Sequence, residues 1–171
     1  RTAPSGQAWT DVLNGTITNG RLATLNSKRG NIDVGAPVDG VFTLTFGVVN
    51  FADPAVLLSF RRNTGHYLAA RINGNQFILL KNVGGTSTTV ASASVSTLFR
   101  GPGPYRLCAS ISGTRIFGEI FSMSGALLAS VAYTLTTDEA TEFATGNLVG
   151  FDVYGTAAPS FIDDFLVRSY A

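Results

Sequence analysis

Few residues of this chain are of types that do covalent chemistry, and their spacing argues against it. His66 is the only histidine, and the sequence has no Gly-x-Ser-x-Gly elbow. Triad catalysis needs a histidine beside an activated nucleophile. Cys108 is the only cysteine, so no intrachain disulfide can form. It lies in the strand-like run Tyr105-Arg106-Leu107-Cys108-Ala109-Ser110 and reads as a buried, inert thiol. Glycoside hydrolysis needs two carboxylates, about 5 Å apart for retention or about 6.5–9.5 Å for inversion. Glu119 has no partner at a suitable spacing, and Glu139 and Glu142 fall in a helical segment, where they read as solvated. No enzyme activity is expected. An Asp-x-Asp-x-Asp-Gly loop and a Cys/His set are both missing, which excludes EF-hand and zinc sites.

Binding chemistry is better represented. Val56 to Ile72 reads as two strands around the three-residue loop Asn63-Thr64-Gly65, with Gly65 as the left-handed residue of a bulge. That loop sets Arg62 opposite His66, Arg61 opposite Tyr67 and Ser59 opposite Ala69. Val56, Leu58 and Phe60 then share a core-facing side with Leu68, Ala70 and Ile72, while Ser59, Arg61, Tyr67 and Arg71 share the other. Together with His66 at the tip, this polar face is the candidate ligand surface. Sugars are held by aromatic stacking and planar polar side chains. Arginine and tyrosine are equally favoured between protein subunits, so a glycan platform and a subunit interface both stand.

Asp163-Asp164 is the most informative acidic pair. Asp163 alternates with Phe161, Phe165 and Val167, so its carboxylate is expected to point where apolar groups point. A buried carboxylate needs a partner, either backbone N–H groups, an arginine such as Arg106, or a cation.

The elements that position these residues are short strands. Thr16 to Ala23 is a hairpin around Asn19-Gly20, and Gly40 to Asn50 is a long strand with Phe42, Leu44 and Phe46 on one face. Gln76 to Asn82 follows an Asn73-Gly74-Asn75 turn. Thr88 to Ser96 puts Val90 and Val95 on opposite faces, which predicts a bulge or bend. Tyr105 to Ser112 and Arg115 to Ser122 flank Ser112-Gly113-Thr114. Thr136 to Thr145 is the one helical segment, with Thr137 as its expected cap. Leu148 to Tyr154 and Phe161 to Ser169 close the chain. A dozen or so strands punctuated by Gly, Asn and Pro imply an all-β antiparallel sandwich or barrel with one short helix. Residues 1–6 read as an arm or linker and 7–171 as one domain. Trp9 reads as a core plug at the start of that domain.

Composition agrees with a binding or structural module. The 171 residues suffice for a sizeable core; 45% are hydrophobic and only 13% charged. So low a charge fraction suits either a surface covered by partners or one rich in Ser, Thr and Asn. The net charge is +1 with no basic run, which excludes phosphate-backbone binding to nucleic acid. No apolar run approaches the ~20 residues of a membrane-spanning helix. The chain begins with Arg1 and shows no signal-peptide pattern, as expected of a processed chain or a part of a longer one.

The order of these features resembles the concanavalin A-like (laminin-G-like) jelly-roll domains of bacteriophage minor tail and tail-fibre proteins. Five stretches carry the resemblance: Ser5-Gly6-Gln7-Ala8-Trp9; Asn19-Gly20-Arg21-Leu22; Phe60-Arg61 with Tyr67; Tyr105-Arg106-Leu107 before Ser112-Gly113-Thr114; and Phe161-Ile162-Asp163-Asp164-Phe165-Leu166-Val167. The aromatic-Asp-Arg lead-in usual in such domains is not present. The resemblance implies an antiparallel jelly-roll β-sandwich in a virion. Its partners would be other virion proteins or copies of itself, and host cell-surface glycan. A carbohydrate-binding module of a secreted enzyme or adhesin is the alternative. In similar modules an aspartate of the last strand helps hold a structural Ca²⁺, a role that would fall to Asp163 here. The jelly-roll glucanases carry their carboxylates as E-x-D-x-x-E on one strand, and this chain has no such strand.

Overall fold

The computed structural model describes residues 9–10, 16–18, 21–24, 28–36, 39–48, 55–95, 103–154 and 160–170. They form an all-β jelly-roll sandwich of two antiparallel sheets. The first sheet runs β1 (Trp9–Thr10), β4 (Lys28–Asp33), β13 (Leu148–Tyr154), β6 (Ala55–Arg62), β7 (His66–Asn73), β8 (Gln76–Val83), β9 (Thr86–Ser94). The second runs β12 (Leu127–Thr134), β11 (Arg115–Ser122), β10 (Gly103–Ser112), β5 (Gly40–Val48), β14 (Ser160–Ser169), β3 (Arg21–Thr24), β2 (Thr16–Thr18). Consecutive strands pair within β6–β9, within β10–β12 and at β2–β3, while β4, β5, β13 and β14 join stretches distant in sequence. The expected arm 1–6, the Asn19-Gly20 turn and the Trp9 side chain lie outside what is described.

Alternation builds the core. Phe42, Leu44 and Phe46 of β5 point inward and meet Val56, Leu58, Phe60, Leu68, Ala70 and Ile72 of the opposite sheet, all buried. The Phe42 and Phe60 rings stack across the sheets, 5.4 Å between centroids and 14° from parallel. Each such ring contributes on the order of 1.5–3 kcal/mol through burial. The β6–β7 register is the expected one, with Ser59 opposite Ala69 and Leu58 opposite Ala70. The β9 irregularity also appears: Leu79 faces Ala91 and Leu80 faces Thr89, leaving Val90 as the extra residue.

One local conformation departs from the sequence reading. Asn63-Thr64-Gly65 does connect the strands, and the Asn63 side chain accepts the N–H groups of Gly65 (3.0 Å) and His66 (2.9 Å). The left-handed residue, however, is Arg61, with φ +48°, and not Gly65. Gly150 of β13 pairs with Ser59 and Leu148 with Arg62, so Phe60 and Arg61 together stand against Val149. This is a β-bulge, and beyond it the side-chain alternation of β6 inverts. The chain after the helix presses on the bulge. A Cβ at Gly146 would lie 2.1 Å from the Arg61 carbonyl carbon and oxygen. Glycine is needed there for close approach.

The helix α1 (Thr137–Glu142) is capped by Thr136, one residue earlier than expected. The Glu139 N–H donates to the Thr136 hydroxyl (3.3 Å), and the Glu139 carboxylate accepts the Thr136 N–H (2.9 Å). This is a capping box. Glu139 is buried, not solvated as its segment suggested. Its carboxylate takes an ion pair from Lys81 and the hydroxyl of Tyr133, 2.9 Å from Oε2. Burial works against the Glu139 charge, but the Lys81, Thr136 and Tyr133 donors overcome it and hold the carboxyl at about 2. The Glu139 bond in turn raises Lys81. Lys81 lies on β8 of the first sheet and Tyr133 on β12 of the second, so this clasp ties both sheets to the helix.

Two outcomes are expected. Glu139 titrates below its ordinary value of 4.5, so its stabilisation is complete above that pH and fades as pH falls towards 2. Thermal unfolding of Glu139→Gln should therefore show a deficit at pH 7 that narrows between pH 4.5 and 2. Gly146→Ala should lower the urea midpoint by an amount equivalent to about 1–3 kcal/mol, the cost of overpacking.

Candidate functional site

The side of the first sheet that faces away from the core is not simply polar. Leu57 of β6, Ala69 of β7 and Ile78 and Leu80 of β8 form a second, small buried apolar cluster there, with Tyr67 against it. The continuous run Phe77-Ile78-Leu79-Leu80 is the sequence sign of a strand buried on both faces.

Within this face lies a buried charge network. Because β6 inverts at the bulge, Arg62 joins Ser59 and Tyr67, and Arg61 leaves them. Arg62 Nη1 donates to Asp152 Oδ2 of β13 at 2.9 Å and to the Ser59 hydroxyl at 3.2 Å. The Arg62 and Asp152 side chains are only 8% and 2% exposed. The Arg62 guanidinium lies over the Tyr67 ring, 4.9 Å from its centroid, a cation–π contact. Asn82 stands opposite Tyr67 on β8 and is buried. Its side chain donates to the Ser87 hydroxyl at 2.9 Å and accepts the Gly85 N–H at 3.2 Å. Tyr67 and Arg71, both half-buried, are left at the surface of the network.

The expected site residues are thus only partly brought together. Ser59, Tyr67 and Arg71 share the face, although Ser59 is fully buried and braces Arg62. Arg61 is a correction. Its left-handed backbone turns it to Asp39, beside β5 of the opposite sheet, where Nη2 meets Oδ1 at 2.6 Å. The second Asp39 oxygen accepts the Gly113 N–H in the β10–β11 turn. His66 packs towards α1, with Nδ1 3.7 Å from Glu142 Oε1 and its ring edge-on to Phe143 at 6.3 Å. Arg62, Asp152 and Asn82 were missed. For Asp152 a signal existed, since alternation with Phe151 and Val153 puts it on the outer face of its strand.

Asp163 is a second correction. It does not point with the apolar residues, because β14 bulges between Asp163 and Leu166. Asp164 takes φ +47°, and Ile162 and Phe165 are the residues that enter the core. Asp163 Oδ1 accepts the Asp164 N–H at 3.0 Å. Among the described residues no three His, Cys, Asp or Glu side chains stand close enough together to hold a metal ion. Cys108, on β10, is half-buried; burial raises its thiol pKa, and Arg106 alongside lowers it less.

No protein-family model and no curated protein matches the sequence. Solved structures share the fold. The carbohydrate binding module CBM66 from Bacillus subtilis superposes with a TM-score of 0.67 at 14% identity, over 95% of this chain and 96% of that one. The CBM2 module of the evolved Dit of Lactobacillus casei BL23 phage J-1 gives 0.59 at 11% identity, over 98% and 93%. The VIP36 exoplasmic/lumenal domain in its Ca²⁺/Man-bound form gives 0.60 at 14% identity, over 95% and 90%. At these identities the likeness establishes the jelly-roll fold.

The buried pair makes a measurable demand on stability. Asp152→Ala strands the Arg62 charge in a dry site and should cost about 3–5 kcal/mol in chemical denaturation. The double variant Arg62→Met/Asp152→Leu should recover most of that loss, because it removes both charges and keeps volume. An Asp152→Ala variant as stable as the parent would show that water reaches Arg62.

Proposed function

We propose that this chain is a non-catalytic carbohydrate-binding module that presents Tyr67 and Arg71 to glycan. The carrying observation is the network under Tyr67. Its ring rests on a guanidinium that Asp152 and Ser59 hold in place. An aromatic ring so braced loses little freedom on stacking against a sugar. The likeness to carbohydrate-binding modules and to the Ca²⁺/Man-bound VIP36 domain supports this reading. Arg61 is outside the proposed site, since its head group is committed to Asp39. His66 borders it at the hairpin tip.

The sequence resemblance to phage tail domains and the fold shared with a phage Dit module favour a virion surface as the setting. There the domain would join other virion proteins or copies of itself and attach to host cell-surface glycan. The match to CBM66 along nearly the whole of both chains favours the second reading, a module of a secreted enzyme or adhesin. Calcium belongs to the proposal through Asp163. An ion there would need Asp163 and backbone carbonyls to supply oxygen ligands.

A glycan array of the folded domain, with and without EDTA, tests the reading. Binding is expected for at least one glycan class and should fall at least tenfold in Tyr67→Ala and Arg71→Ala. Loss of binding with EDTA would support calcium. A folded domain that binds no glycan overturns the proposal in favour of a purely structural role. Immunogold labelling of the domain on intact phage particles separates the two settings.

A further inference from the structure

The outer side of the second sheet holds an open pocket of about 490 Å³, remote from Tyr67. Its lining includes Thr43 and Thr45 of β5, Arg106 of β10, Asp164 of β14, and Ser122 and Met123 at the β11–β12 turn. We infer that this pocket is a second ligand site, and that it takes a single neutral sugar residue.

Three features carry the inference. The first is the way the pocket is made. Asp163 pairs with Thr45 and Leu166 with Thr43, so β14 carries one residue more than β5 along this span. The bulge drives Phe165 into the core, beside Phe151. It turns Asp164 outward in a left-handed conformation that a non-glycine residue seldom adopts. Bulges and strained residues of this kind gather where a side chain must be re-aimed.

The second feature is rigidity. Arg106 stands opposite Thr45, with its guanidinium over the Phe121 ring at 5.1 Å. The Ser122–Gly125 turn is closed by its own bonds. Gly125 N–H donates to the Ser122 carbonyl at 3.0 Å, and Ala126 N–H to the Ser122 hydroxyl at 3.1 Å. The Ser122 and Ser124 hydroxyls lie 2.7 Å apart. The walls are thus set before any ligand arrives, and the pocket is within the ~300–1,000 Å³ usual for small-molecule sites.

The third feature is chemistry. The lining carries one cation, Arg106, and one carboxylate, Asp164, so its formal charges cancel. A bound anion would meet Asp164 and a bound cation would meet Arg106. A neutral polyol suits both, donating hydroxyl protons to Asp164 and accepting them from Arg106. Thr43, Thr45 and Ser122 add hydroxyls of both kinds, and Met123 offers an apolar surface for a ring face.

Backbone amide NMR of the whole chain, titrated with mannose, galactose, fructose and N-acetylglucosamine, tests this, with glucuronate as the anionic comparison. At least one neutral sugar should give saturable shifts at Arg106, Ser124 and Asp164. Arg106→Ala should weaken them at least tenfold. Asp164→Gly should do the same while keeping the bulge, because glycine adopts the left-handed backbone freely. Unshifted amides of β6–β8 would show that each variant is folded. Tyr67→Ala should leave this response intact, which separates it from the site on the first sheet. Saturable shifts from no neutral sugar, shifts that survive Arg106→Ala, or a stronger response to glucuronate would each overturn the inference.

Discussion

A guanidinium taken out of water must be neutralised where it lies, and much of the first sheet is arranged around meeting that demand for Arg62. Asp152 supplies the charge from the neighbouring strand β13, and Ser59 of β6 itself a further acceptor. Arg62 reaches that position only because β6 bulges, and the bulge places a left-handed non-glycine residue, Arg61, near the loop end of a hairpin arm. Several other features answer to this one. Gly146 gives the returning chain room to lie against the Arg61 peptide. Asp39 takes the displaced Arg61 side chain and ties it to the β10–β11 turn. A buried pair of this kind adds little net stability over apolar packing. Its effect is on specificity of register, since a one-residue slip of β6 would strand both charges.

The clasp around Glu139 uses the same logic with different geometry. Here the carboxylate is the buried member, and three donors from separate elements converge on it. A capping box alone would hold only the start of a two-turn helix. By also accepting from Lys81 and Tyr133, Glu139 makes the helix a bolt across one end of the sandwich. Both networks are fully inside one chain, and both convert a costly desolvation into a constraint on which residues may sit side by side.

The two outer faces of the sandwich differ in a way that bears on binding. That of the first sheet is packed under Leu57, Ala69, Ile78 and Leu80, with polar groups already bonded to each other. It offers a fixed relief topped by Tyr67 and Arg71. That of the second sheet is broken by the β14 bulge and opens into a pocket with charges of both signs. The same backbone device, an extra residue with positive φ, buries a cation on one sheet and exposes a carboxylate on the other. Jelly rolls host many activities, so what this domain binds is set by the chemistry of these faces and not by the fold.

Much of the fold was legible in the sequence. Strict alternation at Phe42, Leu44 and Phe46, and across Val56 to Ile72, identified the core faces and the β6–β7 register, because a side-chain period of two leaves one register that buries the apolar set. The turns at Gly74, Gly84-Gly85 and Gly113 follow from local backbone preference, and their positive φ values agree. What local pattern could not reveal was where the pattern breaks. Arg61 and Asp164 each shift their strand by one residue, and for Arg61 the side chain's partner, Asp39, lies twenty-two residues away, where no local pattern reveals it. Gly65 looked like the left-handed residue because glycine adopts that conformation at no cost. The structure spends the conformation at Arg61 instead, where it delivers Arg62 to Asp152, ninety residues away in the chain. Burial of Glu139 was hidden for the same reason: its partners on β8 and β12 are brought to it only by the closing of the two sheets.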